Sequence, residues 1–531
     1  MTVLDRAPAA SRDPAARAAE RRPPLVWLVI ALAGLVPLVV EAIVVPSDPV
    51  RVVLRSLTFA TECLAAMVLV GASQPRWFGL GVFRLGPWYM LWSALTLGLL
   101  TISWRSPSPD HPAGITLGGV SQALTVAGLA LPFWTAGYLL GPGRGLVRSA
   151  TRLIPPAVPG RDIQPRSDAV PWILCGVSIV ARLTEIRLGH YAYLGDASQE
   201  VAQSTFYAQP LSQLSGCGLY ALLIATVDLV RRGDSRRRLT FAVLLAIEVF
   251  FALASGMKGI FLTTVCGVCI TIAVARGRVP MRWFVGGLAI FFFVIIPYNA
   301  AYRSLVRNHA GHVNPASAVF MMPTVLRDTV VGRSGTGASV AGGPQESQAQ
   351  YLAGRTRSVD SLALVVEKTP AIVPYRHLDE LLTAPVLALV PRAFWPNKPI
   401  RLTGYEFGQQ YMSLDSGIYT ASAVSPQADL YRYGGLLTVL VGMGLLGAGH
   451  RLIDEAWNPV RDLRCVVVFI PLLFSTALAV DSVRDLLAAL PIQLAMLVLV
   501  MRFAYGGGIR STHPIPARGR KVGPINAAGG D

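Results

Sequence analysis

The stretch Leu25–Val45, LVWLVIALAGLVPLVVEAIVV, carries a single charge, Glu41, in a run long enough to cross a hydrocarbon core about 30 Å thick as a helix. It is too long for the apolar region of a signal peptide, and no small-residue cleavage site follows before the next apolar run, so it reads as a retained membrane helix. Similar runs recur at about 52–72, 88–104, 118–140, 170–187, 211–230, 240–256, 259–275, 283–302, 435–450, 465–480 and 486–503. Composition agrees. Of the 531 residues, 53% are hydrophobic and only 15% charged, against roughly 25% charged in a soluble globular protein. That balance excludes a water-soluble enzyme, a disordered scaffold and a secreted disulfide domain. The expected fold is an all-α polytopic membrane protein with about twelve transmembrane helices.

A net charge of +17 would point to nucleic acid in a soluble chain. Here the arginines gather in the short connections between apolar runs, which is how cytoplasmic loops are held on their side, so no nucleic-acid partner is expected. With the N-terminus inside, the cytoplasmic connections contain Arg76 and Arg84; Arg144, Arg148, Arg152, Arg161 and Arg166; Arg231, Arg232, Arg236, Arg237 and Arg238; Arg276, Arg278 and Arg282; and Arg451, Arg461 and Arg464. The C-terminal tail, with Arg510, Arg518, Arg520 and Lys521, falls on the same side, whereas loops 105–117 and 189–209 hold few cations. The chain is therefore expected to be a multi-pass protein of the cytoplasmic (plasma) membrane with both termini in the cytoplasm.

This count divides the chain into a disordered cytoplasmic tail (1–24), a nine-helix membrane region (25–302), a large extracytoplasmic loop (303–434), a three-helix membrane region (435–503) and a second cytoplasmic tail (504–531). A loop much longer than about 15 residues is uncommon unless it is functional, which makes 303–434 the catalytic candidate. Within it, the Gly/Ser/Ala-rich stretch 333–350 reads as mobile. Residues 351–390 carry apolar positions at helical spacing (Leu362, Leu364, Val365, then Leu378, Leu381, Leu382) and suggest two short amphipathic helices lying near the membrane. There is no internal repeat.

Chemistry is narrowed first by absences. The chain has no GxxxxGK[ST] loop, no HExxH and no GxSxG, which removes support for ATP-driven transport, zinc proteolysis and that serine-hydrolase layout. The pair Cys266 and Cys269 lies inside an apolar run and reads as packing. The pair His309 and His312 has no carboxylate cluster beside it, so neither a metal nor a cofactor is expected.

The informative stretch is Pro391-Arg392-Ala393-Phe394-Trp395-Pro396-Asn397-Lys398-Pro399. Three prolines stiffen it, Trp395 suits an interfacial anchor, and Arg392 and Lys398 form a rigid cation pair that suits a lipid phosphate or pyrophosphate. The same residues also suit an ordinary interfacial belt of Trp and Arg, with prolines ending a helix. Upstream, Ser255-Gly256-Met257-Lys258-Gly259 breaks an apolar hairpin; Lys258 either snorkels to the headgroups or joins an anion pocket, and Arg303 tops the ninth span near it. Arg355, Arg357 and Asp360 open the amphipathic part of the loop. Later the loop carries Glu406, Asp415 and Asp429, then Tyr431-Arg432-Tyr433 before the glycine pair; Tyr405, Tyr411, Gln427, Asp429 and Tyr431 supply the rings, carboxylate and amide that a sugar-binding cleft uses, though any wet loop has them. In the bilayer, Glu41, Glu62, Arg182, Glu185 and Glu248 need partners, and Arg182 with Glu185 at i,i+3 is the expected pair.

The segment PRAFWPNKP, late in a large outer loop and followed by Gly434-Gly435 at the entry to a span, resembles the PR-x-x-WP-D-KP segment of the Wzy-like O-antigen and exopolysaccharide polymerases, with Asn397 at the acidic position. SGMKG around Lys258 resembles that family's small-residue turn with one cation, and Arg357-Ser358-Val359-Asp360 followed by Thr369-Pro370 resembles the stretch before its proline turn. The resemblance covers about residues 250–450. It departs in lacking an RX10G motif: the nearest glycine after Arg392 is Gly404, one residue too far.

The resemblance implies a membrane glycosyltransferase that polymerises oligosaccharide repeat units carried on an undecaprenyl-type lipid pyrophosphate, at the outer face and without nucleotide sugar. It implies Arg392, Lys398, Lys258 and Arg303 around the pyrophosphate, with Asp429 or Asp360 orienting or deprotonating the acceptor hydroxyl. Arg357, Trp395, Tyr431 and Arg432 join them as substrate-binding candidates. A chain-length regulator and a flippase of the same pathway are the implied partners, besides the bilayer. Rival readings are an O-antigen-ligase-type or other lipid-linked-sugar transferase, a flippase or transporter of such lipids, and a non-enzymatic assembly partner. A transferase using polyprenyl-phosphate sugars would show acidic residues in the first outer loop, where Pro46–Arg51 has only Asp48.

Overall fold

The computed structural model describes residues 25–44, 47–72, 83–104, 114–156, 165–189, 191–192, 208–279, 281–308, 315–331, 356–390, 395, 403–414, 423–478 and 482–506. Their regular structure is helical throughout, with no strand among them. In chain order the helices are α1 (Val26–Val44), α2 (Asp48–Ala72), α3 (Leu85–Ser103), α4 (Leu117–Leu140), α5 (Arg144–Thr151), α6 (Val170–Arg187), α7 (Ala208–Ser215), α8 (Cys217–Arg232), α9 (Ser235–Ser255), α10 (Lys258–Arg276), α11 (Met281–Ile290) and α12 (Ile296–Asn308). There follow α13 (Pro315–Val330), α14 (Val359–Lys368), α15 (Leu378–Leu389), α16 (Thr403–Met412), α17 (Pro426–Ala456), α18 (Leu463–Ala477) and α19 (Val483–Tyr505).

Ten spans among the described residues are long and apolar enough to cross a membrane: α1 to α4, Pro210–Arg232, α9, α10, Val285–Arg303, α17 and α19. The chain is a polytopic membrane protein. The other two expected spans are helices as well, but α6 carries three charges (Arg182, Glu185, Arg187) and α18 is short.

Helix starts follow their local chemistry. Thr116 accepts from Gly119 N at 3.0 Å, Ser425 stands before Pro426 and accepts from Ala428 N at 3.3 Å, and Ser482 accepts from Asp485 N at 3.0 Å. The α4 and α17 helices form the spine of the bundle. Their backbones approach so closely that a Cβ on Gly447 would run into the Trp134 carbonyl, and one on Gly137 into the Gly444 carbonyl. Gly447→Val is expected to lower the thermal unfolding temperature of the purified protein by an overpacking cost of about 1–3 kcal/mol or more. Gly449, which has open space around it, should tolerate Ala without loss. Equal behaviour of the two variants in a thermal melt would contradict the close crossing.

The connections sort to two ends. At one, Arg166 N donates to Ala504 O (2.7 Å), Arg464 to Pro155 O (3.1 Å), Arg502 to Leu153 O (3.1 Å), and Leu85 N to the buried Asp454 carboxylate (2.7 Å). The arginine-rich connections thus meet one another. At the opposite end residues 356–368 pack over the ends of α3 and α4: Ser358 N donates to Thr96 O at 3.1 Å, Trp104 Nε1 to Asp360 at 2.9 Å, and Thr116 bonds Glu367.

Two sequence expectations need correction. Helix α14 does not lie at the surface: Val359 and Ser361–Val366 are all buried, because Leu362-Ala363-Leu364-Val365-Val366 is apolar all round and packs between α4 and α17. The α15 helix is the one that keeps an outward apolar stripe (Leu378, Leu382, Val386, Leu389), while it rests on α19. Nor does Arg182 pair with Glu185. Its two Nη groups each lie 2.8 Å from the Glu248 carboxylate of α9, and Glu185 instead accepts from Ser215 Oγ at 2.6 Å. The facing helix offers a bidentate geometry that an i,i+3 neighbour cannot match. Gly218 makes room for it, since a Cβ there would run into Glu248.

Candidate functional site

A polar centre stands at the end where α14 packs. It begins with a broken helix. α17 starts at Pro426, runs about two turns, and breaks at Gly434-Gly435, where Gly435 takes φ 66° and ψ −149° and lies against the Tyr375 hydroxyl. The turns before the break carry Asp429 and Arg432 into the interior, both fully buried.

Arg432 Nη1 lies 3.3 Å from Asp429 Oδ1 and Nη2 3.4 Å from Gln410 Oε1, while its guanidinium stands over the Phe407 and Tyr411 rings at 5.7 and 5.4 Å. Asp429 Oδ2 accepts from the Arg484 backbone N–H at 3.0 Å, which ties α17 to the first turn of α19. Arg376, between α14 and α15, bonds Glu406 at 2.6 Å and donates its backbone N–H to Arg432 O at 2.7 Å. Arg484 Nη1 is 3.8 Å from the same Glu406 oxygen, and Glu380 is 3.7 Å from Arg376.

Three arginines from three distant segments therefore share one set of carboxylates. Burial alone would raise the Glu406 carboxyl, but its bond to Arg376 and the nearby arginines hold it below the usual carboxylate range. Burial works against the Arg376 charge, yet Glu406 more than offsets this and holds it above the ordinary arginine value. Glu406 is thus ionised at neutral pH. The stability this pair contributes is present there and is lost as pH falls through the lowered Glu406 value.

A second pair adjoins. Arg357 Nε and Nη2 bond Asp360 at 3.0–3.1 Å, and Asp360 Oδ1 also accepts from Trp104. Ser361 joins this helix to the start of α17, its Oγ accepting from Ser425 N at 3.1 Å. The two acidic candidates differ in access: the Asp429 side chain is 0% exposed and the Asp360 side chain 16%.

The structure brings together four of the sequence candidates, Arg357, Asp360, Asp429 and Arg432, with Tyr431 half-buried alongside. Trp395 is exposed. Arg303 Nε donates to Gly256 O at 2.8 Å, and Tyr302 donates to Ala254 O at 3.2 Å, so Arg303 holds the end of α9 from which Lys258 begins the next helix. Arg392 and Lys398 lie outside the described residues, as do Arg355, His309, His312, Asp415 and the 333–350 stretch. Sequence reasoning missed Arg376, Gln410 and Arg484. The signal for Arg484 was present in Val483-Arg484-Asp485, two charges at the mouth of a span.

What the centre can do chemically follows from its unfilled donors. Among the described residues, Arg432 Nε and Arg484 Nη1 are buried without a hydrogen-bond acceptor. A multivalent oxyanion would supply acceptors to both. No group of His, Cys, Asp and Glu suited to a metal occurs among the described residues.

A family model described as Domain of unknown function (DUF8712) matches residues 184–472, more than half of the chain, from the end of α6 into α18. No curated protein and no solved structure matches the chain.

Proposed function

The chain belongs to the DUF8712 family, and from the site that its own residues build we propose that it is a membrane glycosyltransferase that polymerises lipid-pyrophosphate-linked oligosaccharide units. The observation that carries this reading is that, among the described residues, Arg432 Nε and Arg484 Nη1 are buried donors without a hydrogen-bond acceptor. The resemblance of PRAFWPNKP to the Wzy-like polymerases supports it. In sequence, Arg392 stands two residues beyond Val390 and Lys398 five before Thr403, so described helices α15 and α16 flank that segment, and Thr403 is bonded to Asp485 of α19 at 2.8 Å.

In the reaction, the acceptor hydroxyl attacks the anomeric carbon of the donor sugar. The bond from that carbon to the pyrophosphate oxygen breaks, and the electron pair leaves on the lipid pyrophosphate. Arg392 and Lys398, together with Arg432 and Arg484, stabilise the charge that develops. Asp360 takes the hydroxyl proton, because it keeps exposure that Asp429 lacks. Asp429 positions Arg432 and the first turn of α19. Lys258 starts α10 and Arg303 bonds the Gly256 turn beside it; their assignment to the same pyrophosphate rests on the resemblance.

We place this face outside the cell, with about twelve spans and both termini in the cytoplasm, because the arginine-rich connections meet at the other end. Reporter fusions after Arg152 and after Arg236 should report cytoplasm, and one near Gly342 the outer side. A cytoplasmic signal at Gly342 would put the site on the wrong side of the membrane for its substrate. Asp360→Asn is expected to lower polymer formation by about a hundredfold, the lower range for losing a general base, with protein levels unchanged. Undiminished polymer would remove Asp360 from that role.

A further inference from the structure

A second cleft, of about 320 Å³, opens between α7, α8, α10, α18 and α19, away from the arginine centre. Its polar lining is uncharged: Gln213, Thr263, Ser475 and Gln493, with Tyr220 and Phe474 as aromatic walls. The local fold exposes these groups. Pro471 and the π-turn Leu473–Ala477, closed by Leu478 N to Leu473 O at 3.0 Å, interrupt α18 where Phe474 and Ser475 line the cleft. Ser475 Oγ donates to Gln493 Oε1 at 3.0 Å, which leaves the Gln493 amide N–H groups without a protein acceptor among the described residues.

Gln493 is nine residues along α19 from Arg484, so the cleft lies roughly 13 Å from the cation centre along that helix. Amides held there cost free energy unless they serve a polar ligand. With no charge in the lining, the cleft offers nothing to a phosphate. Hydroxyl and amide groups between two aromatic walls suit a neutral sugar instead.

We propose that this cleft binds the sugar headgroup of a neutral glycolipid lying in the same leaflet. The proposal stands apart from glycosyl transfer, and its test reads binding, not turnover. The purified full-length protein in detergent is titrated with monoglucosyl-diacylglycerol, phosphatidylglycerol or soluble maltotriose, and bound species are counted by native mass spectrometry. The glucolipid should bind saturably at one site. Ser475→Ala and Gln493→Leu should each weaken it about tenfold, the loss that accompanies one removed hydrogen-bonding group. If Gln493→Leu does not yield folded protein, Ser475→Ala, which removes only a hydroxyl, decides alone. Equal binding of phosphatidylglycerol or of maltotriose, unchanged binding in the variants, or no glucolipid bound would each overturn the proposal.

Discussion

Arg392→Ala is expected to abolish polymer while leaving the amount of protein in the membrane near normal. On the proposed reading Arg392 serves the leaving group and not the fold, and a fixed cation at a developing pyrophosphate charge is worth a factor of about 10²–10³. Arg392→Lys should recover only part of the activity, because a single ammonium cannot make the bidentate contact of a guanidinium. The readouts are polymer length on a gel and protein level by immunoblot of membranes. Polymer of wild-type length from Arg392→Ala would reduce the proline-rich segment to an anchor.

The second large effect is on stability. Arg182 and Glu248 are both buried, with two 2.8 Å bonds between them. Glu248→Ala leaves an uncompensated guanidinium among apolar helices and is expected to cost about 3–5 kcal/mol, enough to lose most folded protein at growth temperature. The double variant Arg182→Leu/Glu248→Leu should recover much of that stability, because neither charge of the pair is then left buried without the other. A thermal melt of the purified variants decides it. If the double variant melts no higher than Glu248→Ala, the pair does more than neutralise itself. On the proposed reading, the same neutralisation argues against a carrier of lipid pyrophosphates, whose cations would line a path at several depths. Arg182, the deep cation, is already matched.

The membrane fold was legible because each span is a continuous apolar run, and the helical segments recovered there match those runs to within a few residues at most ends. The long span at Pro426 is an exception. The glycine pair that marks its start in the sequence is instead a break inside it, and the buried turns before the break hold Asp429 and Arg432. Side-chain partners were less legible. Arg182 has a carboxylate three residues away, and nothing in the local pattern points to Glu248, 66 residues on. The arginine centre has the same character: Arg376, Glu406, Arg432 and Arg484 come from four separate elements, and only the packing of α14 under α17 and of α15 on α19 brings them together. The burial of α14 did have a signal, five consecutive apolar residues from Leu362 to Val366, too many for a helix with a wet face.

The central claim is that fixed cations at one face of the bundle drive transfer from a lipid pyrophosphate. Its most direct measurement uses the purified full-length protein in nanodiscs, supplied with a lipid-pyrophosphate-linked repeat unit and with neither nucleotide sugar nor ATP, followed by mass spectrometry of the released glycans. The account expects glycans of two or more repeat units, and free lipid pyrophosphate in step with each bond formed. Recovery of the unextended unit alone, together with movement of that lipid between the leaflets of a vesicle containing the protein, would contradict it.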